Sequence, residues 1–185
     1  MYIAKSSSGP ANPIVQLSNT TVSNNTSGND GGGVSLNEVN ATFVNCTVSE
    51  NTAGSSGGGI NSNAANAILV NCILWNDLPQ EIYIESGSVT ATYSDIQGGW
   101  EGTGNIDADP IFADTANGNY HLLWNSPCID AGDPDLDGDG DDYTTDTDDQ
   151  DPDGTRMDMG AYYLHQYQSP LAQFTAFGLV GVGVI

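Results

Sequence analysis

Leu17-Ser-Asn19-Thr-Thr-Val22-Ser-Asn-Asn25-Thr-Ser-Gly28-Asn-Asp-Gly31-Gly32-Gly33-Val34 recurs 26 residues later as Phe43-Val-Asn45-Cys-Thr-Val48-Ser-Glu-Asn51-Thr-Ala-Gly54-Ser-Ser-Gly57-Gly58-Gly59-Ile60. A third copy opens at Leu69-Val-Asn71-Cys72-Ile-Leu74-Trp75, again 26 residues on. It diverges after Trp75, where Asp77-Leu-Pro79-Gln-Glu-Ile82 replaces the glycine triplet, and a weaker fourth copy is Tyr93-Ser94-Asp95-Ile96. A period in the twenties is too short for most helical repeats. Short β-type runs separated by turn residues fit a solenoid, whose coils bury their inner faces only by stacking. The expected fold is all-β, a right-handed parallel β-helix with an irregular C-terminal cap and an Asp-rich loop.

Stacking assigns each repeat position a role. Leu17, Phe43 and Leu69 superpose and point inward, as do Val22, Val48 and Leu74. Each such side chain stabilises by roughly 1.5–3 kcal/mol when buried. Asn19, Asn45 and Asn71 are expected to form one amide ladder, and Asn25 and Asn51 another, satisfying backbone groups at the bends. Asn19 and Asn45 also lie in glycosylation sequons, a use that competes with the ladder. Cys46 and Cys72 fall on adjacent coils. A disulfide fits that spacing, but an inward stack of small thiols is the simpler expectation.

The coils occupy residues 15–110. They are preceded by an arm (1–14), which reads as a cut through a larger protein, and followed by a cap (111–163) with its acidic loop (133–154) and a tail (164–185). Residues 171–185 are uncharged and apolar but short for a membrane span. No apolar segment after Met1 reads as a signal peptide.

The 185 residues carry 24 acids against 2 Lys and Arg, a formal charge of −22. Such a surface repels nucleic acid and anionic membranes and attracts cations. Three cysteines, without a CxxC pair or a nearby histidine cluster, argue against zinc. Much of the acid is concentrated between Asp130 and Asp158. Within it, Asp135-Leu-Asp137-Gly-Asp139-Gly140-Asp141-Asp-Tyr143-Thr-Thr-Asp146 matches a calcium-loop spacing. Alternate carboxylates of a tight loop converge on one centre, and Ca2+ takes six to eight oxygens. The expected ligands are Asp135, Asp137, Asp139, Asp141, Tyr143 through its carbonyl or a water, and Asp146. Asp148, Asp149, Asp151 and Asp153 would widen the site or hold a second ion. No amphipathic helix flanks the loop, which excludes an EF-hand pair. Arg156, among these acids, is expected to form an ion pair tying the loop to the cap.

The Gly-Gly-Gly-Val/Ile and Asn-bearing coils resemble the parallel β-helix repeats of bacterial surface proteins, including polymorphic outer-membrane proteins. Gly104-Asn-Ile-Asp-Ala-Asp-Pro-Ile-Phe112, Gly118-Asn-Tyr-His-Leu-Leu123, Ser126-Pro-Cys-Ile-Asp-Ala-Gly132 and Asp153-Gly-Thr-Arg-Met-Asp-Met-Gly-Ala-Tyr162 resemble the closing region of β-helix proteins with a choice-of-anchor ending. The resemblance covers about residues 15–163 and implies a secreted or cell-surface solenoid.

β-Helices also host polysaccharide lyases and hydrolases. A lyase needs a base and cations, and this chain offers only Lys5 and Arg156. A hydrolase needs converging carboxylates, and the coil acids do not recur at matched positions; Asp107 and Asp109 are the best pair. No catalytic residues are therefore assigned. The expectation is a monomeric structural or adhesive module, calcium-stabilised and binding a polysaccharide or cell-surface glycan through Trp75, Trp100 or Trp124. The alternative is a fragment of a polysaccharide-degrading enzyme whose active site lies elsewhere.

Overall fold

The computed structural model describes residues 1–4 and 13–166. Lys5 and the apolar stretch 171–185 lie outside the described residues. In chain order the strands are β1 (Tyr2–Ala4), β2 (Ile14–Ser18), β3 (Thr21–Ser23), β4 (Thr26–Ser27), β5 (Val34–Asn37), β6 (Asn40–Val44), β7 (Thr47–Ser49), β8 (Thr52–Ala53), β9 (Ile60–Asn63), β10 (Ala65–Val70), β11 (Ile73–Trp75), β12 (Ile82–Ile84), β13 (Gly87–Thr92), β14 (Asp95–Ile96), β15 (Phe112–Asp114) and β16 (Asn119–Leu122). Three four-stranded parallel sheets, β1-β5-β9-β12, β2-β6-β10-β13 and β3-β7-β11-β14, wrap a β-solenoid of about three turns. The first residues belong to it, since Tyr2–Ala4 pair with Ser35–Asn37.

The 26-residue register holds between the first full coils: Leu17 faces Phe43, Phe43 faces Leu69, and Val22 faces Val48, which faces Leu74. Phe43, Leu69, Val48 and Leu74 are fully buried. The last turn is shorter. Ile60 pairs with Ile82, Ala65 with Gly87 and Ile73 with Asp95, an offset of 22. Thr52 still bridges Leu78 at 26, so the four residues are lost between Leu78 and Ile82, where the glycine triplet disappears. Those glycines permit backbone-on-backbone stacking at the corner. A Cβ on Gly58 would lie 2.3 Å from the Leu78 backbone nitrogen, and Gly31 and Gly57 hold φ of +68° and +65°. In the column below Leu69 stands Ala91, and Trp100 packs against the same core at this end.

The two Asn columns serve different ends. Asn25 and Asn51 form the expected ladder, the Asn25 backbone and side-chain amides donating to Asn51 Oδ1 at 3.0 and 2.9 Å. The ladder runs one rung further, to Asp77, whose Oδ1 accepts from Asn51 N at 2.6 Å and Nδ2 at 2.9 Å. Asn19, Asn45 and Asn71 do not form an amide ladder. Asn45 Oδ1 and Asn71 Nδ2 have no partner, and the repeated feature is φ of +47°, +51° and +55°. Asn is selected there for the left-handed turn it tolerates. Cys46, Cys72 and Cys128 are buried free thiols. Cys46 and Cys72 each contact the carbonyl of the preceding coil, Leu17 and Phe43, at 3.5 Å.

Candidate metal centre

After β14 the chain folds back along the flank of the solenoid. Leu122, Cys128 and Met159 bury Ile73 on the outer side of β11, with Trp75, Tyr93, Phe112 and Leu164 packed around them. The flank is pinned by polar contacts to the repeat corners. Tyr120 hydroxyl accepts from Asn24 Nδ2 at 2.7 Å and donates to Glu50 Oε2 at 3.0 Å. Asp133 N donates to Asn71 Oδ1, Gly160 N to the Asn71 carbonyl, and Ala161 N to Thr47 Oγ1. Asn71 is thus a docking point for two separate stretches of the cap. This docking sets the position of the acidic loop.

The loop is organised by carboxylates accepting nearby backbone amides: Asp137 from Asp139, Asp139 from Asp141, and Asp146 from Asp148. It brings Asp135 and Asp137 together with Asp149, one oxygen of each within 4.8 Å of the others. Asp137, Asp146 and Asp148 form an adjoining group by the same measure. Of the expected carboxylate ligands, Asp135, Asp137 and Asp146 join these groups; Asp139 and Asp141 do not. The Tyr143 carbonyl accepts Gln150 Nε2 at 2.5 Å. Asp149, read from the sequence only as an accessory, is 0% exposed. Its Oδ1 accepts Leu136 N at 2.6 Å, and its Oδ2 has no partner.

A second group, Asp130, Asp151 and Asp158, lies where the end of the loop returns to the cap. Burial is the largest cause raising Asp151 to about 7 and Asp158 to about 6, with nearby carboxylates adding to it. The sequence reading did not single out Asp130 and Asp158. They are 28 residues apart, and no short-range spacing links them; the Asp-x-Gly that each opens, Asp130-Ala-Gly132 and Asp158-Met-Gly160, is the local signal they share.

Among the described residues Arg156 makes no direct ion pair with a carboxylate, although its charge acts on Asp133. Its Nε and Nη2 donate to the Gly132 and Ala131 carbonyls, and its guanidinium lies 5.5 Å from the Tyr93 ring centroid. It ties the end of the loop to the Ala131–Gly132 stretch by hydrogen bonds and to the last coil by a cation–π contact. Trp75 and Trp100 are half-buried and packed on the two cores, whereas Trp124 is 65% exposed. Asp107 and Asp109 are exposed and accept the Gly98 and Ile111 amides.

No protein family, curated protein or solved structure matches the chain.

Proposed function

We propose that this chain is a secreted or cell-surface structural module, a β-solenoid whose flanking cap is locked by calcium. The observation that carries this reading is Asp149. A fully buried carboxylate with one oxygen unpartnered, beside two further carboxylates, is a costly arrangement in the absence of a cation. An all-oxygen set of this kind suits a hard divalent ion rather than zinc. Asp137 belongs to both loop groups, so it would bridge two ions or serve one with a variable shell. Extracellular modules bind Ca2+ in the range of about 0.1–1 mM, matched to the concentration outside cells.

The test is thermal unfolding of the full chain in a chelator and in about 2 mM CaCl2, a level set by that extracellular range. The melting temperature is expected to rise with Ca2+ and to fall back on chelation. Asp149→Asn is expected to lose most of this response while unfolding no earlier than wild type in chelator, because it removes a buried charge. A melting temperature indifferent to Ca2+ removes the reading.

A second reading, glycan binding, is favoured by Trp124. Its exposed ring borders a cavity of about 270 Å3 lined also by Asn125, Ser126, Ile129 and Gln166. An aromatic face with amide groups beside it suits a sugar ring, which stacks its apolar face and hydrogen-bonds at its edge. Binding on a glycan array that disappears in Trp124→Ala would support it; binding that persists in that variant would exclude Trp124.

A further inference from the structure

The geometry points to a second cation site, sharing no residue with the loop site, in which Asp130, Asp151 and Asp158 hold a divalent cation at the seam between cap and solenoid. One carboxylate oxygen of each lies within 4.8 Å of the others, a spread that ligands at about 2.3–2.6 Å from one Ca2+ span. Asp151 and Asp158 are 5% and 4% exposed.

The hydrogen bonds show which oxygens are free. Asp158 is held from both sides, Oδ1 accepting Asp130 N at 2.8 Å and Oδ2 accepting Leu164 N at 2.7 Å. Asp130 Oδ2 accepts Gln166 Nε2 at 2.9 Å, and its Oδ1 is buried without a partner. Asp151 Oδ1 accepts the Asp153 amide at 3.3 Å and the Thr155 hydroxyl at 3.4 Å, and its Oδ2 is likewise buried without a partner. Each unsatisfied oxygen therefore belongs to a carboxylate that is already fixed by its other oxygen. Side chains oriented this way have little freedom left to lose on binding an ion, as pre-ordered metal ligands do.

The site has a route to solvent. Asp151 and Asp158 line a cavity of about 410 Å3 that also touches Asn45, Gly160 and Tyr163. Water can therefore complete the coordination shell. The three ligands come from the stretch after Cys128, the end of the acidic loop and the strap that docks on Thr47 and Asn71. An ion here would staple the strap and the loop to each other, whereas the loop ion would lock the cap from within its acidic loop.

Bound calcium per chain, measured on the whole 185-residue chain after dialysis against CaCl2, tests the site together with the Ca2+-induced shift in melting temperature. Asp151→Asn and Asp130→Asn are each expected to lose one ion relative to wild type and part of the shift. In chelator Asp151→Asn is expected to melt no lower than wild type, which separates loss of a ligand from loss of the fold. Asp149→Asn is expected to lose calcium from the loop and retain the ion that depends on Asp151. The proposal is overturned if Asp151→Asn and Asp130→Asn bind as many ions as wild type with the same shift. That result would leave the loop reading standing, while a loss confined to Asp151→Asn and Asp130→Asn, with Asp149→Asn unaffected, would leave only the seam site.

Discussion

Glu81→Gln should flatten the dependence of stability on pH at the last full rung of the Asn ladder. Asp77 Oδ1 is occupied by Asn51, and Asp77 N donates to Glu81 Oε1 at 3.0 Å. The remaining oxygens, Asp77 Oδ2 and Glu81 Oε2, are buried without a hydrogen-bond partner, and a proton held by Glu81 and offered to the Asp77 carboxylate would satisfy both. Burial, followed by the Asp77 carboxyl, pushes Glu81 from 4.5 up to about 9. A carboxyl raised on folding holds a proton that the unfolded chain has released. Its contribution is complete below the unfolded value of 4.5 and is lost as pH rises towards 9. Within that window one extra bound proton gives a slope of about −1.4 kcal/mol per pH unit.

The best interval is pH 7 to 8.5, because Asp77, Asp95 and Asp158 are raised only to about 6, and Asp151, raised to about 7, titrates alike in wild type and variant. Across it, wild type should lose about 2 kcal/mol through Glu81. The glutamine amide can donate to Asp77 without a titrating proton, so the Glu81→Gln variant should lose much less and be the more stable protein at pH 8.5. Urea unfolding in chelator at several pH values measures both slopes. Parallel slopes in wild type and variant would refute the shared-proton assignment.

Asn51→Ala strips donors from Asp77, from the Val22 carbonyl and from the Ser49 carbonyl. It should cost about 2–4 kcal/mol in urea unfolding, since buried acceptors are left unpaired. Phe43→Ala, in the middle of the inward column, should cost about 3–5 kcal/mol by the same measurement. Gly58→Ala drives a methyl group into the Leu78 backbone, so the turn after Trp75 must shift. A loss of about 1–3 kcal/mol is expected, with faster amide exchange in residues 76–84 than in residues 43–49.

The solenoid was legible because its core repeats in register: a Leu, Phe, Leu column at one spacing leaves little choice of fold. The same arithmetic, carried from Asn51 to residue 77, points to Asp77 as the next rung, although its change from amide to carboxylate hides the continuity. The Asn19 column was placed correctly but given the wrong role. Sequence shows that Asn recurs there, but only backbone geometry shows that the turn, rather than the amide, is repeated. The cap was harder to read. Its contacts to Asn24, Thr47 and Asn71 join residues tens of positions apart with no shared period. For the same reason the loop pattern found Asp135, Asp137 and Asp146, while Asp130 and Asp158 emerged only once the chain had folded back.

The four-residue contraction between Leu78 and Ile82 also bears on self-association. A stack of parallel coils ends in open backbone groups that another chain can extend, the route by which edge strands seed fibres. Here the final coil is narrower than those before it, and the segment after β14 lies across its rim. Thr103 and Ile106 carbonyls accept the Tyr93 and Ile96 amides, Ile106 N donates to Ser94, and Asn105 Nδ2 occupies the Ala91 carbonyl. A second molecule would meet a mismatched perimeter and, from Ala91 to Ile96, backbone groups already occupied by the chain's own loop, so along that part of the rim growth of a filament is opposed by geometry as well as by charge.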